Sequence, residues 1–542
     1  MRKLFLVCCL LFTVYCFAQP KLVVGIVVDQ MRYDYIRKYW KKFGNDGFKR
    51  LVNEGYSCTN TNYNYVPTFT GPGHASIYTG ATPVVNGIVS NHWIENGTKE
   101  VTYCVDDKSV SAVGGNNSAG QMSPKNLLSS TIGEGLKKFS LNKSKVIGIA
   151  LKDRGAILPA GHNANAAYWY EGSNGNWISS TYYMKELPQW VSDFNKKESA
   201  KKYLSQTWTT FLPIEQYTES DADDNNCEEP FKGKAKPTFP YNLSALMKEN
   251  GELGLLRSTP FGNSFTNDFA IETIRRERLG KGNATDLLCV SFSSTDYIGH
   301  QFGPQSVEVE DCYIRLDKDI AALLKFLDEW VGKNNALVFL TSDHGAGESF
   351  PCMQKKNIPS GVMDEKTISD SLKRFFLRVY GDTSLLAAVL DYDVYLNNNK
   401  IEEKKINPDE VRNKTANYLL SMNGIADAIT SADIQKNNFG DSIRSKVKEG
   451  FNPPRCGDVI FVLKPHWLEG YRKGTSHGSP YIYDTHVPLL WWGGNIPHGS
   501  SNEAITITQI APTVSALLKM PNPNGCTSKP IIFSPLVIEK MR

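Results

Sequence analysis

No Cys-x-x-Cys pair occurs in this sequence, so a thiolate-held zinc site is not expected. No long run of one charge sign is present. With 60 Lys and Arg against 56 Asp and Glu, the net charge is only +4. That leaves no electrostatic case for nucleic acid or a membrane surface as a partner. Internal repeats and low-complexity segments are also missing. The apolar run Leu4 to Phe17 is too short for a comfortable membrane span, and stable membrane association is not expected. The acidic stretch Asp221-Ala-Asp-Asp224 lacks the glycine and closing glutamate of an EF-hand loop and reads as a solvated loop.

What is present fits an exported globular protein. Hydrophobic residues make up 41% and charged residues 21%, the values of an ordinary soluble chain. Its 542 residues allow about three or four domains, or one large domain with insertions. Arg2 and Lys3 precede the apolar run, and Cys16-Phe17-Ala18 places small residues where a signal peptidase reads them. Residues 1–18 are therefore expected to be a cleaved signal peptide, with a periplasmic or secreted product. The segment before Cys16, Val14-Tyr15, is not the small-residue context of a lipid anchor. Eight cysteines follow the signal, in a compartment that permits disulfides, and spacing does not reveal their pairing.

Buried strands alternate with amphipathic helices along much of the chain. Lys21 to Val28, Lys145 to Leu151, Asp286 to Phe292, Ala336 to Leu340 and Pro488 to Trp492 read as strands. Helices are expected from Ser123-Pro124 through Leu136, around Phe265 to Ile274, over Val307 to Val331 and over Ala511 to Leu518. Tyr63 to Val66 is a further candidate strand. The pattern predicts an α/β fold, a mostly parallel central sheet with helices on both faces. Two stretches break it. Residues 161–252 read as an insertion or cap, and 351–473 as an inserted small α+β subdomain. The α/β core then comprises 19–160, 253–350 and 474–542.

Asp29, Lys152, Asp296 and Asp343 each follow a predicted strand, and in open α/β sheets that edge carries the ligand crevice. Asp343-His344, Val28-Asp29, Asp296-x-x-x-His300 and the loop carrying His477 together supply three Asp and three His. That is enough for two three-ligand catalytic zinc sites with open positions. His486 is the one competitor to His477. Thr70 precedes glycines and a proline that can open a helix. It is either a nucleophile at a helix N-cap or only a capping hydroxyl. Lys152 and Arg154, at alternate positions, could both meet a phosphate or be a solvated basic pair. Asn91 is either an amide donor to the same oxygen or a turn residue. No carboxylate set for a third metal stands out.

The motifs LVVGIVVDQMR (22–32), VPTFTGPGHASIYTG (66–80), GIVSNHW (87–93), LKDRGAILPAGH (151–162), SSTDYIGHQFGP (293–304), SDHGA (342–346) and KGTSHGS (473–479) follow one another in order. In this set the chain resembles the alkaline phosphatase superfamily, specifically the phosphate-irrepressible bacterial alkaline phosphatases of its nucleotide pyrophosphatase/phosphodiesterase-like branch. The resemblance spans nearly all of the chain after the signal. It implies an alkaline-phosphatase-like fold with inserted cap segments, two Zn2+ per chain and small phosphate esters as substrates. Asp296, His300 and His477 would hold the zinc at the leaving-group oxygen. Asp29, Asp343 and His344 would hold the zinc that binds Thr70. Thr70 would form a phosphothreonine, and Asn91, Lys152 and Arg154 would bind the non-bridging oxygens. The implied activity is phosphate monoester hydrolysis, with phosphodiesterase or nucleotide pyrophosphatase activity at the same metals as the alternative. No Cys-x-Pro-x-Arg setting for a sulfatase nucleophile is present. Nothing in the sequence indicates the oligomeric state.

Overall fold

A computed structural model of the chain describes residues 19–95 and 100–534. The expected signal peptide lies outside the described residues. Among these residues an eleven-stranded sheet organises the fold. From one edge its strands run Gly499–Ser501, Tyr56–Asn62, His486–Gly493, Ala336–Thr341, Leu22–Val28, Asp286–Phe292, Val146–Ala150, Ala166–Glu171, Asn176–Ser180 and Ala112–Val113, with Ile505–Thr506 paired to Tyr56–Asn62. The five from Ala336–Thr341 to Ala166–Glu171 are mutually parallel. His486–Gly493 runs antiparallel to both neighbours.

The central strand Leu22–Val28 shows why these runs are apolar throughout. Leu22, Val24, Ile26 and Val28 pack into one core with helices Phe261–Arg276 and Val307–Val331. Val23 and Val27 pack into a second core with helices Thr70–Thr79 and Ile510–Leu517. A strand buried on both faces has no solvent side to make polar, so the period-two alternation disappears.

Three local readings need correction. The helix expected from Ser123-Pro124 begins at Ile132, where Thr131 and Glu134 form a capping box. That reciprocal pair satisfies two backbone donors, and the Pro124–Leu127 segment makes only a turn. Tyr63 to Val66 is not a strand; the strand there is Tyr56–Asn62. The sheet also continues past residue 161, since Ala166–Glu171 is wholly buried and parallel to Val146–Ala150. Its aromatic composition, AAYWYE, hid a buried strand.

The later insertion carries its own sheet, in the order Leu386–Leu390, Asp393–Leu396, Val459–Leu463 and Ile425–Thr430, every neighbouring pair antiparallel. Phe69, the residue before Thr70, is buried in this unit's core and stacks on Tyr392. A Cys227–Cys352 disulfide links segments 125 residues apart.

Candidate functional site

Parallel pairing brings four strand ends to one edge. Val27 is level with Thr341 and Val28 with Phe292, so the residues that follow emerge side by side. Asp29, Asp343 and His344 form the first group, with one donor atom from each within 4.8 Å of the others. All three are completely buried. His344 Nδ1 is 2.9 Å from the Gly345 carbonyl. Donation there leaves the Nε2 lone pair facing the carboxylates. Asp29 Oδ1, Asp343 Oδ2 and His344 Nε2 have no hydrogen-bond partner. Burial, and then Asp343, push the Asp29 carboxyl well above the usual range. Burial would raise Asp343 too, yet His344 and His74 hold it below its ordinary value. Burial lowers the His344 imidazole, opposed by Asp343 and Asp296.

The second group is Asp296, His300 and His477. Asp296 and His300 lie four apart on helix Ser294–Phe302 and so share a face. His300 Nε2 and His477 Nε2 lie 3.2 and 3.7 Å from Asp296 Oδ1. Their Nδ1 atoms sit 2.8 Å from the carbonyls of Thr475 and Thr68. Burial, reinforced by His344 and His300, depresses His477 well below the usual imidazole range. The His477 loop is seated by Gly474, whose positive φ and contact with the His300 carbonyl leave no room for a Cβ. The His344 and His477 rings stack at 3.5 Å, which places the two groups side by side. Imidazoles whose Nδ1 faces a backbone carbonyl and whose Nε2 faces clustered carboxylates fit a pair of divalent metal ions.

Thr70 lies beside Lys152, the residue that contacts both groups. Sequence put it at an N-cap; the extended Phe69 is the cap, and Thr70 is the first helical residue. Its hydroxyl makes no cap bond and points instead at Lys152 Nζ, 3.4 Å away, and Arg154 Nη2, 3.5 Å away. Gly73 lets this helix approach the Asp343 backbone, where a Cβ would collide. Lys152 and Arg154 do not project by strand alternation. Lys152 is the N-cap of helix Asp153–Ala160 and Arg154 lies in its first turn. Lys152 Nζ also lies 2.7 Å from both Asp29 and Asp296, bridging the groups. Burial alone would lower its pKa, but those two carboxylates raise it above the ordinary value. The Gly71 N–H donates to Asn91 Oδ1 at 2.9 Å, which leaves the Asn91 Nδ2 donors for another acceptor.

Other side chains complete the surroundings of these groups. Gln30, in the left-handed region at φ 62°, donates from Nε2 to Asp296 at 2.7 Å and from its backbone to Asp343. Its position next to Asp29 was the only available signal. His74 contacts the Thr70 carbonyl, Asp343 and Ser291. Tyr103 accepts from Arg154 and donates to Asp153. A third carboxylate group, Glu365, Asp391 and Glu469, does exist. Its members are 26 and 78 residues apart, beyond any local motif. Asp391 there accepts from Ser90 Oγ and His92 N, on either side of Asn91. His486 is not in either metal-capable group; it stacks on Tyr33 and bonds Thr59.

The model of the type I phosphodiesterase / nucleotide pyrophosphatase family matches residues 23–486. A Myroides odoratus protein named calcium-transporting ATPase is 47% identical, covering 95% of this chain and 94% of its own. Alkaline phosphatase PafA of Elizabethkingia meningoseptica is 43% identical over 95% of this chain and 94% of its own. A crystal structure of wild-type alkaline phosphatase PafA superposes with a TM-score of 0.92 at 42% identity, covering 95% of this chain and 98% of that one. The chain belongs to the type I phosphodiesterase / nucleotide pyrophosphatase family, on the branch that holds these alkaline phosphatases.

Proposed function

We propose that this chain is an exported alkaline phosphatase that hydrolyses small phosphate monoesters through a phosphothreonine at Thr70. One observation carries the reading: the Thr70 hydroxyl faces Arg154 and the same Lys152 that contacts both groups of metal-capable side chains. Asp29, Asp343 and His344 would hold one Zn2+, and Asp296, His300 and His477 the other. When bound, the pair supplies positive charge that polarises the phosphoryl group and favours nucleophile and leaving group as oxyanions.

Thr70 Oγ1 attacks phosphorus, an O–P bond forms, and the ester oxygen leaves as an alcohol after gaining a proton. Water then cleaves the phosphothreonine, restoring the hydroxyl and releasing phosphate. Asn91 Nδ2, Lys152 and Arg154 orient the non-bridging oxygens. Arg154 offers a planar fork and Lys152 a point charge, which suits a doubly charged monoester better than a diester. The N-terminal Arg2-Lys3 and the apolar run behind them support export. Among the described residues no helix is long and apolar enough to cross a membrane.

The test compares kcat/KM for an aryl phosphate and the matching methyl aryl diester. Each charge-assisted phosphate contact is worth about 1.5–3 kcal/mol, or roughly tenfold to a hundredfold, so a strong monoester preference is expected. A preference for the diester would make the enzyme a phosphodiesterase instead. Acid quenching should trap a labelled phosphoenzyme that disappears in Thr70→Ala; a label retained there would place the nucleophile elsewhere.

A further inference from the structure

The inserted sheet reaches the phosphate-binding residues through the tip of one hairpin. Strands Leu386–Leu390 and Asp393–Leu396 pair with Leu390 opposite Asp393, so Asp391 and Tyr392 alone make the turn. Both lie in the left-handed region, at φ 47° and 72°. A two-residue turn of that kind favours Asn-Gly or Asp-Gly, and a tyrosine there is held against its local preference. Such residues persist where the surrounding structure fixes them. Here both side chains are engaged at the site. The Tyr392 ring is buried and stacks on Phe69, the residue before Thr70, at 5.7 Å. Its hydroxyl donates to the His477 carbonyl at 3.4 Å. Asp391 Oδ2 accepts from Ser90 Oγ at 2.5 Å and from His92 N at 3.1 Å.

Those last two contacts flank Asn91. The Asn91 main-chain carbonyl accepts from Cys104 N at 2.9 Å, and its side-chain Oδ1 accepts from Gly71 N at 2.9 Å. One carboxylate oxygen therefore holds the residues on both sides of the amide that points at substrate. Hydrogen bonds to an ionised acceptor are roughly twice as strong as neutral ones. The turn is itself tied down, since Asp391 N donates to Glu365 Oε1 at 2.8 Å. As an anion near a phosphate-binding residue, Asp391 opposes substrate by charge. What it contributes is the placement of its acceptor oxygen.

We propose that Asp391 is a positioning residue for phosphate binding, holding the Ser90–His92 segment so that Asn91 Nδ2 meets a non-bridging phosphate oxygen. The inference rests on the role of Asn91 in the proposed reaction. It gives the inserted sheet a part in that reaction through a residue that acts only by way of Asn91.

The full-length, zinc-loaded protein should be compared with Asp391→Ala, Asp391→Asn, Asn91→Ala and the double variant Asp391→Ala, Asn91→Ala. The measurements are kcat/KM on an aryl phosphate, and zinc content. Asp391→Ala is expected to lose about tenfold to a hundredfold, because misplacing a binding group by about 1 Å costs on that order. Asp391→Asn keeps an acceptor oxygen and should recover most of that activity. In the Asn91→Ala background the Asp391→Ala change should cost less than about threefold, since its target is gone. Zinc content should match the native protein throughout. A loss of equal size in both backgrounds would overturn the proposal, as would an Asp391→Asn enzyme as poor as Asp391→Ala. If Asp391→Ala does not fold, Ser90→Ala removes one of the two hydrogen bonds, and the same cycle with Asn91→Ala decides the matter. Full activity in Asn91→Ala would overturn both this proposal and the role given to Asn91, whereas an impaired Asn91→Ala with additive losses overturns this proposal alone.

Discussion

The two metal-capable groups differ in what holds them. Asp29 and Asp343 leave adjacent parallel strands, and with His344 they are sealed from solvent. Their spacing is a consequence of sheet register, which slips only if the whole hydrophobic pattern slips. In the other group only Asp296 sits close to a strand end. His300 is a turn along the helix, partly exposed, and His477 rides on a loop beyond the second insertion. That loop is fixed by Gly474, by the Cys227 carbonyl and by the Thr68 carbonyl. The first group is built by adjacent sheet strands, and the second is assembled from a helix and a loop brought to it. Local opening is cheapest where fewest buried contacts resist it, so metal should exchange first from the second group.

The sharpest test substitutes one ligand in each group. Asp343→Ala should lose activity by about ten-thousandfold or more and stay inactive in excess zinc, because two ligands and a buried cavity remain. His300→Ala should lose less and recover partly as zinc is raised, since two ligands and an open approach survive. Equal rescue of the two variants would erase the distinction.

A second test removes the residue that touches both groups. Lys152→Ala together with Arg154→Ala should cut monoesterase kcat/KM by on the order of hundreds to thousands if the two act independently, and diesterase activity far less. Equal losses on both substrates would count against a phosphate-binding role.

Smaller again is the effect expected from the disulfide. Cys227→Ser with Cys352→Ser frees the segment whose carbonyl holds Gly474. Zinc affinity measured by competition should fall several-fold at one of the two sites only. A loss at both, or at neither, would mean that this segment does not hold the second group.

The smallest effect concerns the inserted sheet alone. Burial, opposed by the Gly457 N–H, pushes the Asp393 carboxyl up to about 8. An acid with a raised folded pKa favours folding fully below its unfolded value near 4, and that contribution is lost as pH rises toward 8. Asp393→Asn should therefore flatten the decline in Tm between roughly pH 5 and 8, by a few degrees, without changing zinc content. An unchanged pH profile would show that Asp393 does not titrate in this range.

How much of this was legible follows from the range of each interaction. The strands around Asp29, Asp296 and Asp343 could be read because burial on both faces makes a continuous apolar run. The Asp296-x-x-x-His300 pair could be read because helical spacing puts both on one face. Gln30 could not be read, since its role depends on a left-handed backbone turn that only the packed strand ends impose. Ala166–Glu171 was missed because aromatic side chains with polar tips hide a buried strand.

The sequence by itself determined the α/β class, the strand ends and the inventory of three Asp, three His and one threonine. Each of those is written in residues that are neighbours along the chain. Tertiary structure draws His477 toward Asp296, the histidine that the family resemblance implied, and turns His486 toward Thr59. It also fixed the Lys152 bridge between Asp29 and Asp296. Those contacts are set by sheet order and loop closure, and neither leaves a periodic trace in the chain.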